Sequence, residues 1–283
     1  MAKLEYTLKT DTLFKMLFEK NQDLLKRLVA KLLGILVEDI EEFAVTNPGI
    51  PPEELGKKFC HLDINMKVNG QLVNVEVQVE DEGDYPERSL YHWSRQYSNA
   101  LNKGRVYSEL PRTFVISFLA FSQFDDTDHY YSEFRPLEVT RHTLLTDRMV
   151  LQYFELPKLP DDIIDANDEL KLWLLLFKAD TEEEISKIEE TGVPFMVQAI
   201  EAFRSISASE EFRELERLRE KTRNNERAAL AYARRKGKDE GRIEGRIEER
   251  QVWQGVVAEK DAAHADEVSR LLAEIERLRR ANA

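Results

Sequence analysis

A single cysteine, Cys60, stands among 283 residues. One thiol excludes an intramolecular disulfide and any zinc cluster built on several cysteines. Long apolar runs are missing too. The two longest, 114–121 (interrupted by Ser117) and 172–177, fall far short of the roughly 20 residues that span a bilayer. The opening Met-Ala-Lys-Leu-Glu-Tyr lacks the apolar stretch of a secretory signal. No Walker loop, dinucleotide fingerprint or His-Glu-x-x-His helix occurs. Gly-Lys-Asp-Glu-Gly at 237–241 has the wrong context for cradling phosphate. The expectation is a cytoplasmic protein in a reducing compartment, with no membrane partner, that neither hydrolyses nucleotides nor works as a zinc protease.

Positive charge is also scarce. Lys and Arg total 41 against 54 Asp and Glu, a net charge of −13. The imbalance is local. Residues 209–283 carry 18 basic and 17 acidic side chains, whereas 1–208 carry 23 and 37, a net −14. An acidic body argues against holding nucleic acid by charge alone. It leaves room for a site that recruits cations. The hydrophobic share of 42% is enough for a sizeable core.

The pattern along the chain predicts a helix over 9–34, with Leu13, Leu17, Leu24, Leu28 and Leu32 at helical spacing and Gly34 as its stop. Three prolines and a glycine make 47–52 a loop. Strands follow over 60–68 and 71–80, joined by Asn69-Gly70, which suits the positive φ of a type I′ turn. Residues 86–102 read as helix, 113–121 and 150–156 as strands, and the chain from Asn167 onward as helix. Breaks are expected at Gly192, Pro194 and 205–209. The tail holds a Gly-Arg-Ile-Glu repeat: Gly237, Gly241 and Gly245, Glu240, Glu244 and Glu248, and Arg242, Arg246 and Arg250 each recur every four residues. Val268, Leu271, Ile275 and Leu278 then take coiled-coil spacing over fewer than three heptads, which points to a homo-oligomer; the competing reading is a solvated charged helix that self-associates weakly.

The hairpin yields a register. With Asn69-Gly70 as a two-residue turn, Val68 faces Gln71, Asn65 faces Asn74, Asp63 faces Glu76 and His61 faces Gln78. Ile64, Met66, Val68, Val73, Val75, Val77 and Val79 then share an apolar face. The other face gathers Asp63, Glu76 and Gln78. Carboxylates directly opposite repel unless solvated, sharing a proton or binding a cation. Magnesium suits such a pair, since it takes one or two carboxylates and keeps water and phosphate as its remaining ligands. The competing reading is a half-exposed sheet face with no ligand.

Asp63, then a turn, then Glu76-Val77-Gln78 resembles the PD-(D/E)xK nuclease core. More narrowly, the chain resembles the Rpn family of recombination-promoting nucleases and transposase-like proteins. The resemblance rests on Asp11-Thr-Leu-Phe14-Lys15-Met-Leu-Phe18, Val75-Glu76-Val77-Gln78, Pro86-Glu-Arg88-Ser-Leu-Tyr91-His-Trp93, Gly104-Arg-Val-Tyr107 and Phe154-Glu-Leu-Pro157-Lys158, with the tail repeat beyond. It implies an α/β fold: a restriction-endonuclease-like mixed sheet flanked by helices, with a helical, coiled-coil tail. The expected divisions are a nuclease core over 1–165, a helical extension over 166–208 and a charged tail over 209–283. It implies an endonuclease on DNA that depends on magnesium or another divalent cation, linked to recombination or mobile DNA. Asp63 and Glu76 would be metal ligands. Gln78 stands where many members carry lysine, and it can only exchange hydrogen bonds. Asp11, also a natural N-cap, would be an auxiliary acid, with Lys15 one turn on. Arg88 and Tyr91 would contact or position phosphate. The alternative is an inactive nuclease fold that binds DNA or protein as an oligomer.

Overall fold

The computed structural model describes residues 3–46, 49–50, 60–61, 64–101, 106–160 and 164–281. The chain divides into two compact units, Met1–Glu216 and Arg217–Ala283.

The first unit is built on a six-stranded mixed sheet. Its strands are β1 (Phe43–Thr46), β4 (Ile64–Val68), β5 (Gln71–Gln78), β6 (Thr113–Leu119), β8 (Met149–Glu155) and β7 (Tyr131–Phe134), in that spatial order. β5, β6 and β8 run parallel at the centre, and antiparallel strands flank them on both sides. β6 is a β-branched and aromatic strand, Thr-Phe-Val-Ile-Ser-Phe-Leu, buried along its whole length. That composition marks a central strand covered on both faces.

The hairpin forms in the predicted register: Val68 opposite Gln71, Asn65 opposite Asn74, Ile64 opposite Val75. Asn69 and Gly70 hold φ of 46° and 74°, the left-handed values a type I′ turn requires. Of the strand expected over 60–68, residues 62 and 63 lie outside the described residues. Cys60–His61 is a separate strand, β3, and it pairs with β2 (Gly49–Ile50) in a small ribbon of its own. His61 therefore lies opposite Gly49 and not Gln78. β5 stops at Gln78, so Val79 leaves the apolar face and is exposed.

The first helix also differs from expectation. It is two helices, α1 (Asp11–Lys20) and α2 (Gln22–Leu33), parted at Asn21. The Asn21 side chain donates to Leu17 O at 2.8 Å, offering the backbone a local alternative to the helical ladder. Gly34 ends α2 with φ of 68°, as expected.

Each sheet face has its own cover. Ile64, Met66, Val73, Val75, Ile116, Phe118 and Phe154 point to one side. There they meet α1, α2 and the helices α4 (Glu169–Lys178), α5 (Glu182–Glu189) and α6 (Pro194–Ala208) in one apolar cluster. Phe118 meets Phe177 at 4.7 Å, and Phe177 meets Phe14 at 5.7 Å. The opposite face is covered by α3 (Tyr85–Asn99), the crossover between parallel β5 and β6. Its apolar part is small: Tyr85, Val115, Leu119, Leu151 and Tyr153. The rest is polar, and the candidate site lies there.

α7 (Glu210–Ala281) begins in the first unit. Phe212 is fully buried and stacks edge-on against Tyr6 at 4.9 Å. Thr12 donates to Glu216 at 2.7 Å, and Lys20 pairs with Glu211 at 2.6 Å. The remainder of α7 is the second unit, and its described side chains are exposed except Arg219, which is half-buried. No helix among the described residues is long and apolar enough to cross a membrane.

Candidate active site

Strand alternation sends Asn74 and Glu76 of β5, with Asn65 of β4, to the face under α3. All three are buried. A carboxylate under a helix needs partners, because an isolated buried charge is strongly disfavoured. α3 supplies them. Tyr85, Ser89, His92 and Gln96 recur at steps of four, three and four, so they form one stripe down the helix, and all four are buried.

Glu76, 3% exposed, is gripped from two sides. His92 Nδ1 lies 2.6 Å from Glu76 Oε1. An ionised carboxylate only accepts, and toward one His92 donates from Nδ1. The Tyr85 hydroxyl lies 3.2 Å from Glu76 Oε2 and 2.8 Å from Ser117 Oγ. Burial first, then the Glu76 charge, push the Tyr85 phenol well above its usual range. Tyr153, hydrogen-bonded to Ser89, is raised for the same main reason. Farther along the stripe, Gln96 Nε2 donates to Asn65 Oδ1 at 3.0 Å, and Asn74 Nδ2 donates to the same oxygen at 3.3 Å. A polar network thus joins β4, β5, β6 and β8 to α3.

The other expected site residues fall in several places. Asp63 lies outside the described residues. Gln78 is half-buried at the end of β5, and its Nε2 donates to Glu80 O at 3.1 Å. Asp11 and Lys15 form an ion pair at 3.0 Å on α1, whose apolar side packs over the sheet face opposite Glu76. Arg88 Nη1 is 3.5 Å from Glu82, and its guanidinium sits 5.9 Å from the Tyr85 ring centre. Tyr91 is exposed, one position before His92. Trp93 donates to Thr113 O at 3.1 Å and stacks on Tyr97, which ties α3 to β6.

Sequence reasoning missed the Tyr85-Ser89-His92-Gln96 stripe, although its helical spacing was available. It also missed Glu155. That carboxylate is fully buried next to Leu119, which in turn lies next to Gln78 one strand further on. Its Oε1 accepts from the backbone N–H groups of Gln123 and Phe124 at 2.6 and 3.1 Å, and Lys158 Nζ lies 2.8 Å away. Lys158 also donates to Phe124 O. The Glu-Leu-Pro-Lys segment therefore clamps the loop that leaves β6 at the same sheet end as Gln78.

The family model for PD-(D/E)XK nuclease family transposase matches residues 8–233. The chain belongs to this family. The match takes in the sheet, α3 and the first turns of α7, so the Glu76 network lies within the PD-(D/E)XK nuclease family domain. Comparisons with curated proteins and with solved structures return no match.

The PD-(D/E)XK nuclease fold generally works with divalent metal, and Glu76 can be tested for fitness. An ionised carboxylate offers about four lone-pair positions. His92 and Tyr85 engage one on each oxygen, which leaves acceptor capacity on both. The donors are hard oxygens, as magnesium prefers. Among the described residues, no group of three or more His, Cys, Asp or Glu side chains is gathered to hold a metal. Magnesium does not demand one, because water and substrate phosphate ordinarily complete its shell.

Proposed function

We propose that the protein is a divalent-metal-dependent DNA endonuclease that hydrolyses phosphodiester bonds. The observation that carries this reading is Glu76: a carboxylate in a nuclease-family sheet, buried and held in place by His92 and Tyr85. Glu76, with Asp63 from the facing strand of the sequence register, would hold magnesium. When bound, that ion acidifies a water and neutralises phosphoryl charge.

The chain's own residues do the positioning. His92 and Tyr85 fix the orientation of the Glu76 carboxylate through their hydrogen bonds. Gln78, in the position where many members carry lysine, offers an amide to orient water or a phosphate oxygen. Arg88 matches phosphate geometry with its fork of donors. Tyr91 flanks it, and the Asp11–Lys15 pair on α1 is auxiliary. The acidic body repels phosphate, so DNA affinity should depend on the cation. A cytoplasmic setting and a role in recombination or mobile DNA accord with the family.

The test is plasmid nicking by purified wild type and Asp63→Ala. Magnesium-dependent nicking should be present in the first and lost in the second. Equal nicking by both overturns the assignment.

A second reading has one observation in its favour: the Gln78 amide, at the position where many members carry lysine, is turned to Glu80 O. In that reading the fold binds DNA or protein without cleaving. Calorimetry separates the two, since an inactive module gives no heat with millimolar magnesium, with or without DNA.

A further inference from the structure

The second unit presents an apolar stripe with no cover of its own. Ile243, Ile247, Val257, Val268, Leu271, Ile275 and Leu278 are all exposed, between 40% and 57%. They fall on one continuous seam of alternating four- and three-residue steps. Arg250, Gln254, Asp261 and His264 occupy its remaining positions. Seven of its eleven positions are apolar, and the unbroken apolar part is its C-terminal end, Val268 to Leu278. Gly241, Gly245 and Gly255 all fall outside it, and a Cβ added to any of them would meet nothing.

We propose that this seam pairs with a second copy of the chain as an antiparallel two-stranded coiled coil, with Asp261 of each helix against His264 of the other. The inference stands apart from the nuclease reading.

The polar seam residues decide the orientation. In a parallel pair each seam residue meets its own copy. Arg250 would face the partner's Arg250, and Asp261 would face the partner's Asp261. Those are two like-charge layers in the interior of the seam. In the antiparallel pair Ile247 meets the partner's Leu278, and Val257 meets the partner's Val268. Arg250 and Gln254 meet the partner's Ile275 and Leu271, where a long side chain can lay its stem on the apolar layer and keep its head in water. Asp261 meets the partner's His264, a donor for each carboxylate.

The flanking charges select the same register. It sets Lys260 beside the partner's Glu267 and Glu244 beside the partner's Arg279, each twice by symmetry. Sliding one heptad either way brings Lys260 onto the partner's Lys260, or Glu267 onto the partner's Glu267. Polar seam positions that fix partner and register at some loss of stability are an established device of coiled coils.

The experiment uses the full chain carrying Cys60→Ser. Ile247→Cys and Leu278→Cys are prepared separately, then oxidised alone and mixed. Cross-linked dimer should form only in the mixture, because in the antiparallel pair two copies of position 247 lie about 46 Å apart at 1.5 Å per residue. Cross-linking of Ile247→Cys to itself overturns the orientation. Sedimentation guards against variants that merely weaken the end layers. Wild type should be a dimer at tens of micromolar, and a monomer overturns the proposal. Lys260→Glu or Glu267→Lys alone should weaken the dimer about tenfold, and the double swap should restore it. In a parallel pair these residues would face the partner's Ala265 and Leu272. Insensitivity to the swap therefore also overturns the proposal.

Discussion

His92 on α3 and Glu76 on β5 share a buried hydrogen bond of 2.6 Å, and through it the helix that covers the sheet holds the carboxylate proposed to bind metal. Groups that orient a metal ligand commonly contribute 10- to 100-fold to metal affinity or activity. His92→Ala should accordingly raise the magnesium concentration for half-maximal nicking by roughly 10- to 100-fold. A magnesium titration of nicking rate checks this, with circular dichroism to confirm that the variant folds. An unshifted midpoint would show that His92 is only packing.

Tyr85 gives the network a signature in alkali. Its phenol is raised by burial and then by the Glu76 charge, from an ordinary value of 10.0. The folded state therefore holds this proton more tightly than the unfolded chain does. Its contribution to stability is fully present below pH 10 and is lost as pH rises beyond that value. Tyr85→Phe should cost about 1–3 kcal/mol at pH 8, because Glu76 and Ser117 lose a partner. It should also flatten the loss of stability above about pH 10. Urea unfolding at pH 8, 10 and 11 measures both effects. A variant that loses stability with pH as steeply as wild type would contradict the assignment.

The Glu155–Lys158 clamp should matter more than a surface ion pair. Lys158→Met leaves a fully buried carboxylate without its cation, and breaking a buried pair from one side costs about 3–5 kcal/mol. An exposed pair such as Lys187–Glu183 is screened by solvent and contributes little. Thermal melts of Lys158→Met and Lys187→Met should differ accordingly. Equal melts would mean that water reaches Glu155.

The sequence made the hairpin legible because turn chemistry and alternation agree. Asn69-Gly70 demands one turn type, and the valines fix the face. Asn69 does more than its φ reveals. Its side chain accepts from the N–H groups of Glu41 and Glu42 at 2.9 and 3.0 Å, anchoring the chain before β1. Such a contact spans 28 residues and leaves no local mark. β1 and β7 escaped notice because each is a four-residue edge strand without a fully buried face. The division of the first helix at Asn21 was obscured by a leucine periodicity that continues across it.

The site was half legible. Like-charge logic singled out Glu76, yet it pictured a sheet face open to cations. The face is roofed by α3, and the partners of Glu76 come from that roof. Polar residues at helical spacing ordinarily mark the wet side of a helix. Tyr85, Ser89, His92 and Gln96 are instead its dry side, because Asn65, Asn74 and Glu76 lie beneath and need donors and acceptors. Only the packing of helix on sheet reveals that inversion.

Glu76→Gln gives the sharpest measurement of the central claim. Glutamine keeps the shape and can still bond with Tyr85 and His92, but it removes the anionic oxygen proposed to hold magnesium. Nicking of supercoiled plasmid in magnesium should fall at least about 100-fold, as expected when a bound metal acidifies the attacking water, while the fold persists. Nicking at the wild-type rate by a folded Glu76→Gln protein would contradict the account.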